Sequence, residues 1–256
     1  MNFFLKNPPV WASILPIQII GLYPIYLLIT GQAVTWWWQA FIPGYICLFM
    51  LGASAGYHRL ISHRHFQTSK TWKRILIFFG IMSGQGSPLT WAAIHRGYHH
   101  RHSDTDQDLH TPKHGFWHSY ITWMFKTRSV SVKSVKDLRQ DPDIIFAHRN
   151  FLRIFFTTNL IVAFIDTNLW LFLLVLPAWV SYQSISLTTS FNHIEKLGYK
   201  NYPVRDTSVN CIWLWPLVLG EAWHNNHHGA PRSASMTKRW WEIDPTYWLI
   251  RIIRKN

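Results

Sequence analysis

The sequence predicts an all-α membrane protein with four transmembrane helices and a cytoplasmic helical cap. The chain is 48% hydrophobic and only 14% charged, whereas soluble domains have roughly 25% charged residues. Several apolar runs have about the length that a helix needs to cross a bilayer. Nine of the 15 histidines lie in short clusters close to the ends of such runs. We therefore expect residues 1–256 to form a single domain whose cap holds a histidine-ligated dimetal site.

Four runs are long enough, alone or as arms of a hairpin, to cross a hydrocarbon core. They are Val10–Thr30, Thr35–Tyr57, Phe151–Ile165 and Leu169–Phe191. A fifth apolar piece, Ile75–Gly84, is too short to span and is expected at the membrane interface or against the cap. The last segment, Trp240–Asn256, has an apolar side and basic residues, which predicts an interfacial helix.

The basic residues predict how the spans are oriented. The tight connections Gly31–Val34 and Asp166–Asn168 contain no Lys or Arg, so all 25 basic residues lie in the remaining segments. Cytoplasmic segments of membrane proteins are enriched in Lys and Arg. Both termini, the long middle segment and all the histidine clusters are therefore expected on the cytoplasmic face. Trp36, Trp37 and Trp38 would lie at the opposite interface, where aromatic residues concentrate.

Composition also argues against several classes of protein. The net charge of +13 is spread among apolar stretches rather than gathered in one arm, which argues against nucleic-acid binding. With only Cys47 and Cys211, a disulfide framework or thiolate metal site is not expected. The N-terminal apolar run is long and lacks a small-residue cleavage site, so no secretory signal is expected.

The histidine clusters are three boxes and one isolated residue. The boxes are His58-Arg-Leu-Ile-Ser-His63, His95-Arg-Gly-Tyr-His99-His100 and His224-Asn-Asn-His227-His228, and the isolated residue is His193. One zinc takes about four ligands, so this number of imidazoles indicates two metals. On a helix, the second and third boxes can straddle a gap between two ions. The five-residue spacing of His58 and His63 leaves open whether they serve one metal or two.

The other six histidines match the boxes less well and are expected in exposed or supporting positions. They are His65, His102, His110, His114, His118 and His148. His102 and His110, with Asp104, Asp106 and Asp108 between them, could orient ligand imidazoles, because metal-bound histidines commonly donate their other N–H to a carboxylate.

The ligand chemistry favours iron. Soluble di-iron sites use two Glu-x-x-His motifs, but this chain has one, Glu221-Ala-Trp-His224, among only 12 acidic residues. A neutral imidazole shell around two irons suits oxygen activation beside an apolar substrate. Copper and zinc remain chemically possible.

These motifs resemble the integral-membrane fatty acyl desaturases, in the class that introduces the first double bond near the middle of a saturated chain. The first box and the run Gly220-Glu-Ala-Trp-His-Asn-Asn-His-His228 are typical of that class. Ser103 and Asp104, with Asp108 and His110, follow the second box as they do in the family, and residues 240–244, Trp-Trp-Glu-Ile-Asp, resemble its C-terminal signature. The likeness covers nearly the whole chain.

The resemblance implies that the nine clustered histidines are iron ligands: His58, His63, His95, His99, His100, His193, His224, His227 and His228. In the family, a glutamine and a tryptophan ten and four residues before the second box help to bend the acyl tunnel. Gln85 and Trp91 occupy these places, although Trp91 could equally be an interface anchor.

Three departures from the family pattern qualify the resemblance. The second box is His-x-x-x-His-His, one residue longer than the usual form, so the roles of His99 and His100 are open. Thr189 replaces an asparagine that often bridges to iron through water. Ala93 and Ile94 replace an Arg-Asp pair that contacts CoA in acyl-CoA-dependent relatives, so cyanobacterial members acting on glycerolipid-bound chains are more similar.

The expected activity is therefore O2-dependent desaturation of a saturated acyl chain, giving a cis delta-9 double bond on a lipid or other non-CoA carrier. The expected cofactors are two iron ions, with O2 as co-substrate. An external electron donor, ferredoxin or cytochrome b5-like, is the expected partner because no fused redox domain is visible. The alternatives are an acyl-CoA desaturase, an acyl hydroxylase with the same cluster and, more remotely, a metal-transport protein, which would need ionisable residues along its spans.

Overall fold

A computed structural model describes residues 4–6, 11–126 and 129–255. The helices are α1 (Trp11–Ile29), α2 (Trp37–Ser62), α3 (Lys70–Met82), α4 (88–102), α5 (118–126), α6 (Pro142–Ile165), α7 (Thr167–Phe191), α8 (Ile212–Ala222), α9 (His224–Gly229) and α10 (Pro245–Ile253). Short 3₁₀ turns lie in the connections at Pro112–His114, Lys133–Val135, Leu138–Gln140 and Glu195–Leu197.

A small sheet departs from the all-α prediction. Strands β1 (Phe4–Lys6) and β2 (Ser129–Ser131) pair antiparallel, with Leu5 opposite Val130. Three-residue strands are too short to produce a detectable alternation of polar and apolar residues. The sheet joins the N-terminus to the segment beside the second histidine box, because the Ser131 backbone N–H donates to the Tyr98 hydroxyl at 2.9 Å.

Three of the described helices, α1, α2 and α7, are long and apolar enough to cross a membrane. They match the first, second and fourth predicted spans within a few residues, although Val10 lies outside the described residues. The predicted end of the second span at Tyr57 is wrong, because α2 continues to Ser62 and contains His58. The third predicted span, Phe151–Ile165, is the second part of α6, which is not among these three helices. Arg149 lies just before the predicted span and Arg153 lies within it.

Side-chain caps fix where many of the helices begin. At the start of five helices, an Asp or Ser side chain accepts a hydrogen bond from a backbone N–H of the first turn, which satisfies a donor that has no partner inside the helix. The capping residues are Ser69 for α3, Ser87 for α4, Asp141 for α6, Asp166 for α7 and Asp244 for α10. Because Asp166 caps α7 directly after α6 ends, this connection is as tight as predicted.

Helix α3 covers α2 rather than crossing the membrane by itself. A Cβ at Gly52 would lie 2.4 Å from the carbonyl carbon of Phe79, and one at Gly80 would lie 2.2 Å from the Tyr57 ring. Glycine at both positions therefore lets the two helices approach closely. Ile75–Gly84, expected at the membrane interface or against the cap, thus packs on α2, and it fixes the segment of α2 that carries His58.

The C-terminal segment forms a shorter helix than predicted. The helix begins at Pro245 rather than near Trp240, because Asp244 caps it. Ile250 and Ile253 are buried, whereas Trp248 and Ile252 are exposed on the other side. One face of α10 therefore packs on the domain and the other is available to an interface. Asn256 lies outside the described residues.

Candidate metal centre

The nine histidines of the boxes converge into two groups. Group 1 contains His58, His63, His95, His100 and His227, and group 2 contains His99, His193, His224 and His228. Within each group, one ring nitrogen of every histidine lies within 4.8 Å of those of the others. The histidines come from α2, α4, α9 and the turn after α7, so four distant segments build one centre.

Wide helical turns explain the five-residue spacings. The His63 N–H donates to the His58 carbonyl at 3.0 Å, and the His100 N–H donates to the His95 carbonyl. In an α-helix, residues five apart diverge by about 140°. A turn closed by i→i+5 hydrogen bonds returns them to one side. The structure therefore places His58 and His63 together in group 1, and His95 and His100 as well.

The adjacent histidines divide between the groups, as expected for boxes that straddle a gap. His99 faces group 2 and His100 faces group 1, while His227 faces group 1 and His228 faces group 2. The rings of His100 and His228 stack across the boundary, with centroids 4.6 Å apart. The extra residue of the second box is thus absorbed by its wide turn, and both histidines of the doublet point at the centre.

The distances within the groups suit shared ligation. The Nε2 atoms of His58 and His227 lie 3.0 Å apart, those of His63 and His95 2.8 Å, and those of His193 and His224 3.1 Å. Two imidazoles bound to one ion at about 2.1 Å and at right angles to each other would be about 3 Å apart.

Three ring nitrogens in group 2 also lack a hydrogen-bond partner. Among the described residues, the Nε2 atoms of His99 and His228 and the Nδ1 atom of His224 are buried and unpaired. Buried polar atoms in native proteins nearly always have a partner. A metal ion between the imidazoles would satisfy the Nε2 atoms of His99 and His228.

Carboxylates behind the rings set which nitrogen faces inward. The Nδ1 atoms of four histidines contact a carboxylate oxygen: His58 to Glu221 at 2.9 Å, His99 to Asp108 at 3.2 Å, His193 to Asp104 at 3.2 Å and His228 to Asp206 at 2.8 Å. An Nδ1–H donated to a carboxylate leaves Nε2 as the free acceptor. Asp104 and Asp108 thus hold the positions expected of orienting groups, whereas Asp106 pairs with exposed His114 at 3.1 Å.

Sequence reasoning missed two of these carboxylates. Glu221 was noted only as part of a Glu-x-x-His motif, and its position within the Gly-Glu-Ala-Trp-His run was a usable signal. Asp206 had no signal, because it lies in an irregular segment 22 residues before His228. Its contact with His228 depends on tertiary folding.

Burial keeps the imidazoles neutral. Burial, together with neighbouring imidazoles, lowers the pKa of His95, His100 and His227 well below the usual value of 6.5. Burial also lowers the pKa of His228 to about 4, although its hydrogen bond to Asp206 opposes the shift. Because only a neutral imidazole can bind a metal, these four rings are in the ligating form at neutral pH.

The remaining histidines lie around the centre in several different settings. His110 is buried beside His99, with ring centroids 4.8 Å apart, and His65 stacks on His63 and lies 2.9 Å from the Pro231 carbonyl. His148 is 2.7 Å from the Ser87 hydroxyl, at the start of α4. None of the three belongs to group 1 or group 2.

An apolar cavity leads to the centre. It is lined by Gln85, Trp91, His95, His110, Thr189 and other residues of α1, α4, α5 and α7. A mostly apolar lining with a few polar groups is typical of a small-molecule site. The Trp91 indole N–H donates to Gln85 Oε1 at 3.0 Å, and Gln85 Nε2 donates to the Ser181 hydroxyl at 3.4 Å. These contacts hold one wall of the cavity beside His95.

The structure also shows where the residues that differ from the family pattern lie. Ala93 and Ile94 are buried in α4, so these positions offer no polar group to a carrier. Thr189 lines the cavity, and its hydroxyl donates to the Ser186 carbonyl at 3.0 Å.

Comparison with known proteins relates this centre to a family. A family model described as fatty acid desaturase matches residues 35–253. The chain is similar to an sn-1 stearoyl-lipid 9-desaturase of Anabaena variabilis, at 36% identity over 80% of this chain and 75% of that protein. It is 34% identical to the Delta-9 desaturase-like 5 protein of Arabidopsis thaliana, over 94% and 82% of the two chains. An sn-2 palmitoyl-lipid 9-desaturase of Nostoc is 32% identical over 80% and 73%.

Proposed function

The chain belongs to the fatty acid desaturase family, and from this membership we propose that it makes a cis delta-9 double bond in an acyl chain esterified to a membrane lipid. The relatives named above as acting on stearoyl-lipid and palmitoyl-lipid support a lipid carrier. The buried Ala93 and Ile94 support it independently, since they cannot provide charged contacts to CoA. The enzyme is an oxidoreductase.

The nine grouped histidines are proposed to hold two iron ions, one in each group. The support is geometric: the Nε2 separations match shared ligation, and the unpaired Nε2 atoms of His99 and His228 face the interior of group 2. The iron pair, when bound, supplies the O2 activation that removes hydrogens from an unactivated chain. The carboxylates behind His58, His99, His193 and His228 hold the rings in the ligating orientation.

The cavity is the observation that carries the proposal. Its mostly apolar wall suits a methylene chain, and its lining residue His95 belongs to group 1. Gln85 and Trp91 shape the wall next to this histidine, so they are proposed to bend the chain where the double bond forms. Holding one C–C bond beside the centre is a positioning effect, which is the main contribution a protein makes to such a reaction.

The membrane orientation is part of the proposal. We place both termini and the metal centre on the cytoplasmic side, with four spans, because the 25 basic residues avoid the connections at 31–34 and 166–168. The exposed apolar side chains at the end of α6, Leu160, Phe164 and Ile165, support its crossing as the third span. Gln32→Cys and Asn168→Cys should then both react with a membrane-impermeant maleimide added outside intact cells. Protection of Asn168→Cys would contradict the crossing of α6 and therefore the four-span arrangement.

The experiment that tests the activity is fatty-acid methyl-ester profiling of a host that lacks delta-9 desaturation. The host expresses the wild type or His228→Ala, together with a ferredoxin and its reductase. A new cis monounsaturated chain in the wild type only is the expected result, and lipid-class separation before hydrolysis identifies the carrier. If hydroxylated chains accumulate instead, the reaction is hydroxylation and the desaturase proposal is wrong. If the new unsaturated chain accumulates only as acyl-CoA, the proposed lipid carrier is wrong.

A further inference from the structure

An open cleft beside group 1 is lined by three arginines. Its lining residues are Ser62, His63, Arg64, Arg96, Ser134 and Arg232; we call it the arginine cleft. Arg64 follows the end of α2 in a left-handed conformation, with φ of 55°, which turns the chain sharply away from the helix. Its side chain is 62% exposed, and Arg232 is exposed as well.

The cleft has a positive net charge. Arg64 and Arg96 share one carboxylate, Asp137, at 3.2 and 2.9 Å. Among the residues that the structure describes, the three arginines of the cleft lining have one acidic partner between them, Asp137. Arg96 also donates to the carbonyls of Ile61 and Ser62, which fixes the end of α2 to α4. Within the described part of the chain, the side chains of Arg64 and Arg232 donate to no backbone carbonyl.

One imidazole separates the cleft from the centre. His63 lines the cleft and is partly exposed, and its Nε2 lies 2.8 Å from that of His95 in group 1. The His63 ring is 4.5 Å from the rings of both His100 and His227, measured between centroids. Because His63 itself belongs to group 1, a redox group docked in the cleft would be one imidazole away from the ion that group 1 is proposed to hold.

We propose that the arginine cleft is the docking site of a small acidic one-electron carrier, which delivers electrons to group 1 through His63. The inference rests on the proposed desaturase function. In that reaction the acyl chain loses two hydrogen atoms. O2 is reduced to two water molecules by these two hydrogen atoms together with two electrons and two protons from outside. The acyl chain supplies two of the four electrons that O2 needs, and the carrier supplies the other two in successive one-electron transfers. Charge complementarity between an acidic carrier and the cleft sets the encounter and its orientation.

The test measures binding of a plant-type [2Fe–2S] ferredoxin to the iron-loaded enzyme in detergent. In the cleft variant, Arg64→Glu is combined with Arg232→Glu. The matched control, Lys113→Glu with Lys196→Glu, has the same change of charge at exposed positions outside the cleft. We expect the dissociation constant of the cleft variant to rise about tenfold or more at low ionic strength and the control to change little. The difference should shrink in high salt, since exposed charges are screened.

A second readout separates this inference from the proposed function. With dithionite as the reductant, a single turnover needs no carrier, so the wild type and both variants should form the same amount of product. Equal ferredoxin binding by the wild type and the cleft variant would overturn the docking site. Wild-type protein that gives no alkene with dithionite, yet binds ferredoxin through the cleft, would contradict the desaturase proposal and leave the docking site in place.

Discussion

The Nδ1 atom of His58 lies 2.9 Å from Oε2 of Glu221, and both side chains are buried. The other oxygen of this carboxylate accepts from Arg59 at 3.1 Å. Arg59 in turn donates to both oxygens of Asp244, at 2.7 and 3.1 Å. A continuous set of buried charges therefore connects a proposed iron ligand to the residue that caps the C-terminal helix α10.

Replacing Glu221 by glutamine should weaken iron binding in group 1. The amide keeps the shape of the side chain but removes the charge that holds the His58 ring and balances Arg59. Such orienting carboxylates commonly contribute about 10–100-fold to metal affinity or activity. Iron per protein after dialysis against a graded chelator should therefore fall, with a parallel loss of turnover.

Asp106→Asn is the matched control for that prediction, because Asp106 pairs with exposed His114 and its side chain is 89% exposed. It should retain wild-type iron content. If Glu221→Gln holds iron as tightly as Asp106→Asn does, the orienting role assigned to Glu221 is wrong.

Replacing Trp91 by phenylalanine should loosen control over the double-bond position. The change removes the indole N–H that Gln85 Oε1 accepts at 3.0 Å, so the cavity wall beside His95 loses a fixed point. A neutral hydrogen bond contributes about 1 kcal/mol, or roughly a fivefold effect. Mass spectrometry of dimethyl disulfide adducts should reveal positional isomers absent from the wild type, and turnover should fall by a similar factor.

The control for the cavity wall is Trp240→Phe, because Trp240 is 95% exposed. That variant should give the wild-type product alone. A single unchanged isomer from Trp91→Phe at the wild-type rate would show that the wall is held by other contacts.

The ion pairs at the start of α6 should make part of the stability sensitive to acid. Asp143 contacts Lys73 Nζ at 2.7 Å and Arg74 Nε at 2.9 Å, and the Lys73 hydrogen bond is the main reason that its pKa lies below the usual value of 3.8. Because the folded state has the lower pKa, protonation favours unfolding. The contribution is therefore fully present above about pH 5 and is lost as the pH falls through the folded pKa.

Asp143→Asn should consequently lower the free energy of unfolding by about 1 kcal/mol at pH 7, and by progressively less towards pH 3. Apparent unfolding temperatures in detergent, measured across this range for both proteins, test the convergence. A gap between wild type and variant that is constant with pH would exclude the ion pairs as its cause. The comparison variant Glu195→Gln, at an exposed pair with Lys200, should show little effect at any pH.

Much of the fold followed from local signals in the sequence. Apolar length identified α1, α2 and α7, and Asp166 and the glycine at 31 marked the tight connections. The end of α2 was misplaced because the polar residues after Tyr57 suggested a helix end, although His58, Arg59 and Ser62 are all buried by tertiary contacts. The strand pair was missed because its two partners are separated by more than a hundred residues and are three residues long.

For the candidate site, the identity of the histidines could be predicted from the sequence. Their division into two groups and their contacts with residues far along the chain could not. The box histidines converge as expected, but their assignment to two groups depends on backbone hydrogen bonds that α-helical geometry does not anticipate. Asp206 and Arg59 contact the centre only because segments far apart in the chain meet there. Periodicity in the sequence reports which face of a helix is apolar, and it carries no information about such long-range partners.

The wide turn between His95 and His100 also affects how related chains should be compared. A residue inserted into an α-helix rotates everything after it by about 100°, which would swing the doublet away from its partners. Here a local change of hydrogen-bond register confines the insertion to a single turn. Homologues with histidine intervals differing by one can therefore share the same arrangement in space. An alignment should therefore superpose the doublet His99-His100 and place the gap before it, which matches equivalent residues. An alignment that enforces a fixed interval between His95 and the doublet will not match them.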